Sequence, residues 1–134
     1  MFQRLCLLIF ITLFFISGCG VPYRAVTGEV TFNGQPLQEG SITFVPEGKG
    51  AGAIGMIKEG RFSIAQKYGV LGGHYSVTIL SEQTTAPPKG GDPSMSQTVS
   101  LFPAYTFEYT FPENEKKYHI KIEVPSSPKT TPKD

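Results

Sequence analysis

The sequence predicts an all-β domain, a β-sandwich of about seven strands, and three observations support this fold class. Apolar and polar residues alternate along several short segments, as they do in strands that bury one face. Gly, Pro and Asn separate these segments, and the chain of 134 residues holds 15 Gly and 11 Pro. No segment after residue 18 has the periodicity of a helix, so we expect strands joined by many turns.

The first two strands are predicted at residues 26–32 and 41–46, where Val, Ile and Phe alternate with Thr, Ser and Glu. Asn33-Gly34 follows the first strand directly, and both residue types tolerate the positive φ of a tight hairpin turn. The glycine-rich segment 47–55 is interpreted as a surface loop, because no helix pattern follows it as it would in a phosphate-binding loop.

Five further strands are predicted downstream, together with one long connection. Segment 81–100 is rich in Gly, Pro, Ser and Thr and has no periodicity, so we predict a flexible surface loop. The five strands are expected at residues 54–58, 61–64, 74–80, 105–111 and 118–124. The residues predicted to face the core are Val26, Val30, Phe32, Ile42, Phe44, Phe62, Ile64, Tyr75, Val77, Ile79, Phe107, Tyr109, Ile120 and Ile122.

The N-terminus has the pattern of an export signal. Arg4 supplies a positive charge, residues 5–16 are almost wholly apolar, and two small residues then precede a cysteine. The segment Ile16-Ser17-Gly18-Cys19 resembles the lipobox of bacterial lipoproteins. The resemblance implies that the cysteine sulfur receives a diacylglyceryl group, that the signal is cleaved just before the cysteine, and that a fatty acid such as palmitate then acylates the new amine.

Two other interpretations of this N-terminus stay open. An ordinary signal peptide with an incidental cysteine would show the same charge and the same apolar run. An uncleaved membrane helix is the other, although the apolar run holds about a dozen residues where a spanning helix needs about 20. Lipidation accounts for the cysteines, because Cys6 lies in the segment expected to be removed and Cys19 then has no disulfide partner.

Cleavage before Cys19 divides the chain into four parts. Residues 1–18 form the signal peptide, 19–24 a lipidated tether, 25–125 the sandwich domain and 126–134 a polar tail expected to be disordered. The five residues from Cys19 to Arg24 span at most about 17 Å. The domain is therefore expected close to the membrane surface.

Charge is balanced after the signal peptide. Arg4 is the one charged side chain of residues 1–18, so residues 19–134 carry 11 Lys and Arg and 11 Asp and Glu, with no long block of either sign. This balance argues against a nucleic-acid partner and against electrostatic attachment to anionic lipid.

Three segments of the domain share a pattern with a known family. They are the run from Val26 to Pro46, the turn Glu59-Gly60-Arg61-Phe62 and the strand from Gly73 to Ile79. In order and spacing they resemble carboxypeptidase regulatory-like domains, and the whole chain is similar to small lipoproteins of planctomycete-type bacteria. The resemblance implies an Ig-like, transthyretin-like (prealbumin-like) sandwich. The turn before Arg61 lacks the Asp or Asn often found there, which argues against a calcium-binding loop.

The sequence offers few residues for catalysis or metal binding. His74 and His119 are the only histidines, and each is expected on the outward face of a strand, so we predict no zinc site. The two aspartates, Asp92 and Asp134, lie in segments predicted to be flexible and do not indicate a calcium site. No serine lies in a Gly-x-Ser-x-Gly turn. We therefore predict no catalytic residue, no metal and no cofactor.

Two sets of side chains leave alternatives open. The spacing of the glutamates is compatible with a carboxylate pair for glycoside hydrolysis, although solvated surface is their ordinary role. Tyr105, Tyr109 and Tyr118 could form a strip that stacks on sugar rings, whereas burial in the core or in cross-strand pairs is the ordinary role of such residues.

These observations favour a non-enzymatic protein of the cell envelope, exported and held to the periplasmic or outer face of a membrane by lipid on Cys19. Its sandwich would bind or support another envelope protein or a glycan. The alternative is a carbohydrate- or peptide-binding module that assists an envelope enzyme or transporter, which an exposed aromatic row on one sheet would favour. A hydrolase is the third hypothesis, and it would need polar groups that converge in a concave site. The sequence itself assigns no ligand-binding residue.

Overall fold

The computed structural model describes residues 20, 22–87 and 89–126. The predicted signal peptide, Cys19 and residues 127–134 of the predicted tail lie outside the described residues. Short 3-10 turns occur at Gln66–Tyr68 and Pro93–Met95. The strands are β1 (Ala25–Phe32), β2 (Gln35–Pro36), β3 (Glu39–Pro46), β4 (Ala53–Lys58), β5 (Arg61–Ile64), β6 (Gly73–Ser81), β7 (Gln83–Thr85), β8 (Gln97–Val99), β9 (Tyr105–Phe111) and β10 (Lys117–Val124).

Seven strands form one continuous sheet in the order β10-β1-β5-β4-β3-β6-β9, and the short β2 pairs with β1. Neighbours are antiparallel except β1 and β10, which run parallel over eight residue pairs. β4 and β5 share a single residue pair, Lys58 opposite Arg61, so the sheet folds over at this hairpin. The first layer then consists of β10, β1 and β5, and the second of β4, β3, β6 and β9. The predicted all-β fold class and its seven principal strands are confirmed.

Two tight turns use consecutive residues with positive φ. Asn33 and Gly34 have φ values of 53° and 74° and join β1 to β2, as the sequence predicts. Glu59 and Gly60 have φ values of 50° and 76° and reverse the chain between the two layers. Two consecutive positive φ angles give a turn whose twist matches that of the flanking strands.

The core lies between the two layers, and aromatic rings bridge it. The ring centroids of Phe44 on β3 and Phe62 on β5 lie 6.1 Å apart. Those of Phe111 on β9 and Tyr118 on β10 lie 4.6 Å apart. Ring pairs at such distances add to the stability that burial of their apolar area provides.

Most residues that the sequence predicts in the core are buried. The exceptions are Phe32, Phe107 and Tyr109, which pack against the core but are only half-buried. Phe107 and Tyr109 lie on β9, the last strand of its layer, where no further strand of the sheet covers their rings. The core also includes residues outside the predicted set, which are Leu37, Ala53, Ile57, Val70, Phe102, Phe111, Tyr118 and Val124.

Segment 81–100 contains secondary structure where the sequence predicts only a loop. β7 and β8 pair antiparallel over three residues, and all six residues of the two strands are exposed. Because neither strand has a buried face, the alternation that reveals a strand is missing. Ser81 is buried, and its hydroxyl oxygen accepts hydrogen bonds from the backbone N–H groups of Leu101 and Phe102 at 2.8 and 3.3 Å. The flexibility of the segment stays a prediction.

Candidate functional site

One end of the sandwich receives the chain from the predicted lipidation site, and we call this end the base. β1, β4, β6 and β10 begin there, β3, β5 and β9 end there, and segments 47–52, 65–72 and 112–116 complete it. The chain reaches the base at Tyr23 and Arg24. Gly18 and Cys19, the residues predicted to flank the cleavage point, lie outside the described residues.

Arg24 fixes the chain to the base. Its backbone N–H and C=O pair with the C=O and N–H of Val70 at 2.9 and 3.1 Å. Its guanidinium donates from Nη2 to the carbonyl oxygen of Glu113 at 2.6 Å and from Nη1 to the hydroxyl of Tyr118 at 3.3 Å. The Tyr118 hydroxyl donates in turn to the carbonyl oxygen of Pro112. These bonds join the start of β1 to the turn between β9 and β10.

Close contacts also hold the chain that follows the 3-10 turn Gln66–Tyr68, which lies beside Arg24 at the base. A Cβ atom at Gly69 would lie 1.8 Å from the carbonyl oxygen of Arg24, so the backbones can approach this closely only with glycine at this position. Tyr75 is buried, and its hydroxyl accepts a hydrogen bond from the N–H of Leu71 at 2.9 Å. Burial raises the pKa of Tyr75, and the hydrogen bond from Leu71 partly opposes this shift. The base is thus fixed by backbone and side-chain bonds together.

A cleft of about 410 Å³ opens at the base beside the arriving chain, and we call it the basal cleft. Tyr68 and Ile54 at its margin are 64% and 68% exposed. The Lys67 ammonium lies 4.5 Å from the centroid of the Tyr68 ring, within the range of a cation–π contact. The cleft is lined by Tyr23, Ala51, Gly52, Ala53, Ile54, Lys67, Tyr68 and Gly69, among which Lys67 carries the only charge.

A half-open row of aromatic rings lies along β9, and we call it the aromatic strip. Tyr105, Phe107 and Tyr109 face the core side of this edge strand and are half-buried. Alternate residues of a strand lie about 7 Å apart, and the rings of Tyr105 and Phe107 have centroids 5.5 Å apart. The predicted strip member Tyr118 does not belong to it, because Tyr118 is buried on β10.

The two histidines lie on separate surfaces, and both are exposed as the sequence predicts. His74 Nδ1 lies 2.8 Å from the hydroxyl of Thr110, and His119 Nδ1 lies 3.1 Å from the hydroxyl of Thr27. Within residues 22–87 and 89–126, no group of three or more His, Cys, Asp or Glu side chains is arranged to hold a metal ion.

The acidic side chains of the domain lie mostly in solvent. Among the described glutamates, Glu29 is half-buried and the others are exposed. The carboxylate of Glu29 lies 3.5 Å from the ammonium of Lys121, and because solvent reaches both side chains, this pair contributes little to stability. The pKa of Asp92 is lowered by hydrogen bonds from Ser94, because the aspartate caps the 3-10 turn that follows it.

The sequence pattern did not reveal the basal cleft. Ile54 and Met56 alternate as core residues do, yet both point outward. Ala53, Gly55 and Ile57 face the core instead, and at Gly55 the neighbouring layer lies too close for a larger side chain. A Cβ atom at Gly55, for example, would lie 3.0 Å from the nearest side-chain atom of that layer. In the sequence, the small residues Ala53 and Gly55 were the only indication that this face of β4 points towards the core.

Comparisons with known proteins find little similarity to this chain. No protein-family model matches the chain, and no curated protein matches it. Within the described residues, no helix is long and apolar enough to cross a membrane. Among solved structures, the chain is similar to a 9R-lipoxygenase from Cyanothece PCC8801 with 15% sequence identity and a TM-score of 0.43. The match covers 77% of this chain and 16% of that chain.

Proposed function

We propose that this chain is a lipid-anchored protein of the cell envelope whose sandwich is a non-catalytic interaction or structural module. The lipobox-like segment would place a lipidated Cys19 five residues before Arg24. The observation that carries the proposal is that Arg24 binds the base through both its backbone and its guanidinium. A lipid on Cys19 would thus be joined by a short tether to a fixed point of the fold.

The distribution of titratable groups supports a non-catalytic role. Strongly shifted pKa values tend to mark functional sites when they occur in clefts. The raised pKa of Tyr75 comes from burial in the core, and the lowered pKa of Asp92 comes from capping an exposed turn. Each of these shifts therefore has a structural cause.

The anchor is tested with a matched pair of cysteine variants. The full chain is expressed in a bacterium that processes lipoproteins and is labelled with a palmitate analogue. Wild type and Cys6→Ser should take up label and sediment with membranes, because Cys6 lies in the predicted signal peptide. Cys19→Ser should lose the label and accumulate as an uncleaved precursor. Label on the Cys19→Ser variant would show that the lipobox interpretation is wrong.

A second function is favoured by the aromatic strip. Half-exposed rings spaced along a strand offer an apolar surface for the faces of sugar rings or for alternate side chains of an extended peptide. β9 also ends the sheet, so its outer backbone groups have no strand partner within the described residues. The module could therefore bind a glycan or a peptide for a neighbouring envelope enzyme or transporter.

The aromatic strip is tested by substitutions on the two faces of β9. Tyr105→Ala and Phe107→Ala remove half-buried rings, whereas Glu108→Gln changes an exposed side chain on the opposite face of the strand. If the strip binds glycans, the two alanine variants should lose retardation in gels that contain cell-wall polysaccharide, and Glu108→Gln should keep it. Equal migration of all variants and wild type, with and without polysaccharide, would exclude this function for the glycans used.

A further inference from the structure

We propose that the basal cleft is a membrane-contact surface that rests on the phosphate-bearing headgroups of the bilayer in which Cys19 is anchored. This inference rests on the proposed lipid anchor and goes beyond it. A lipid on a tether holds the domain near the membrane but leaves open which face of the domain meets the lipid. The basal cleft would fix that orientation.

The position of the cleft follows from the tether. The residues from Cys19 to Arg24 can span at most about 17 Å, and Arg24 is bound to the base. Tyr23, the residue before it, lines the cleft, and its hydroxyl accepts a hydrogen bond from the N–H of Ala51 at 3.3 Å. The base is thus the part of the sandwich that the anchor brings closest to lipid.

The side chains of the cleft are those that suit the boundary between water and lipid. Tyrosine rings are enriched at this boundary because they are apolar with one polar end, and lysine extends an apolar stem towards a charged headgroup. Tyr68 and Ile54 are both mostly exposed, and Lys67 lies over the Tyr68 ring. The lining of the cleft therefore includes two exposed side chains with apolar surface and one cation.

The single positive charge of the cleft would attract a phosphate group and would repel a basic partner. No carboxylate is among its lining residues, and its ammonium group is free of a salt bridge within the described residues. The acidic residues near the base, Glu47, Glu113 and Glu115, do not line the cleft. A lipid phosphate could thus approach Lys67 without meeting a negative group in the cleft.

The test uses the absence of tryptophan from the chain, which makes any introduced tryptophan a single reporter. The full lipidated chain is reconstituted into phosphatidylethanolamine and phosphatidylglycerol vesicles with or without brominated acyl chains. One variant is Tyr68→Trp. The matched control is Val99→Trp, because Val99 is also exposed but lies on β8, which pairs with β7, the strand that follows the end of β6 remote from the base.

The Tyr68→Trp variant should shift its emission to shorter wavelength on vesicles and lose intensity in the brominated ones, whereas Val99→Trp should do neither. Adding Lys67→Glu to Tyr68→Trp should reduce the quenching while the protein still floats with the vesicles through its lipid. Equal quenching of the two tryptophan variants in vesicles with bound protein would overturn the contact surface and leave the anchor intact. Protein that fails to float with the vesicles would overturn the anchor, and the contact surface with it.

Discussion

Tyr118→Phe is a sharp test of how the base holds together, because it removes one oxygen atom and keeps the ring. The Tyr118 hydroxyl accepts a hydrogen bond from the guanidinium of Arg24 and donates one to the carbonyl oxygen of Pro112. The phenylalanine ring would still pack against Phe111, whose ring centroid lies 4.6 Å from that of Tyr118. Any loss of stability would therefore report on the two hydrogen bonds.

The expected loss is modest and measurable. A hydrogen bond contributes about 1 kcal/mol net, and one to a charged group about 1.5–3 kcal/mol, in favourable cases. The Arg24 side chain is partly exposed and can turn to water, so we expect a decrease of about 1–2 kcal/mol in the free energy of unfolding. For a domain of about 100 residues that corresponds to a fall in Tm of about 5–10 °C. Thermal unfolding followed by near-ultraviolet circular dichroism measures it.

Two further variants decide whether the reasoning holds. Tyr109→Phe is the matched control, because the structure gives its hydroxyl no hydrogen bond to any described residue, and its Tm should change little. Arg24→Met should destabilise the domain too, and its effect combined with Tyr118→Phe should be smaller than the sum of the two. A Tyr118→Phe variant that melts with wild type would refute the view that this hydroxyl joins β1 to the turn after β9.

The remaining predictions concern the stability of the domain. Gly69→Ala should lower the unfolding free energy by about 3 kcal/mol or more, since its methyl group would collide with a backbone carbonyl, whereas Gly48→Ala has open space and should be neutral in urea denaturation. Ser81→Ala leaves two backbone N–H groups without an acceptor and should cost about 1–3 kcal/mol. Replacement of residues 86–96 by a two-residue Asn-Gly turn between the paired Thr85 and Gln97 should, by contrast, leave Tm nearly unchanged, and a large decrease would show that the segment packs. Stability should fall as pH rises above about 10, because burial keeps Tyr75 protonated in the folded chain after the unfolded chain loses the proton, and the fall should be smaller in Tyr75→Phe.

The sequence was sufficient to predict the strands that bury one face. The alternation around Val30, Ile42 and Val77 marks a core side and a solvent side, and all three residues are fully buried. The small sheet of β7 and β8 could not be predicted from alternation, because its residues are exposed on both faces. Alternation also could not predict which face of β4 points towards the core, because Ile54 and Met56 indicate one face and Ile57 indicates the other.

Pairing between distant strands could not be predicted from local patterns. The parallel pairing of β1 with β10 joins segments some ninety residues apart, from Ala25 opposite Lys117 to Phe32 opposite Val124. The half-burial of the aromatic strip and the exposure of Tyr68 depend on which strand ends the sheet and on how the base closes. Both are properties of the assembled layers, so the candidate surfaces became visible only in the structure.

The parallel pairing of β1 and β10 has a mechanical consequence. A lipid on Cys19 would pull on the start of β1, whereas a partner held beyond Val124 would pull on the end of β10 at the opposite end of the sandwich. The two forces then act along the strands in opposite directions. Tension of this kind would shear all eight residue pairs at once instead of opening them one after another, so the pairing of β1 with β10 is suited to resist a force along the strands.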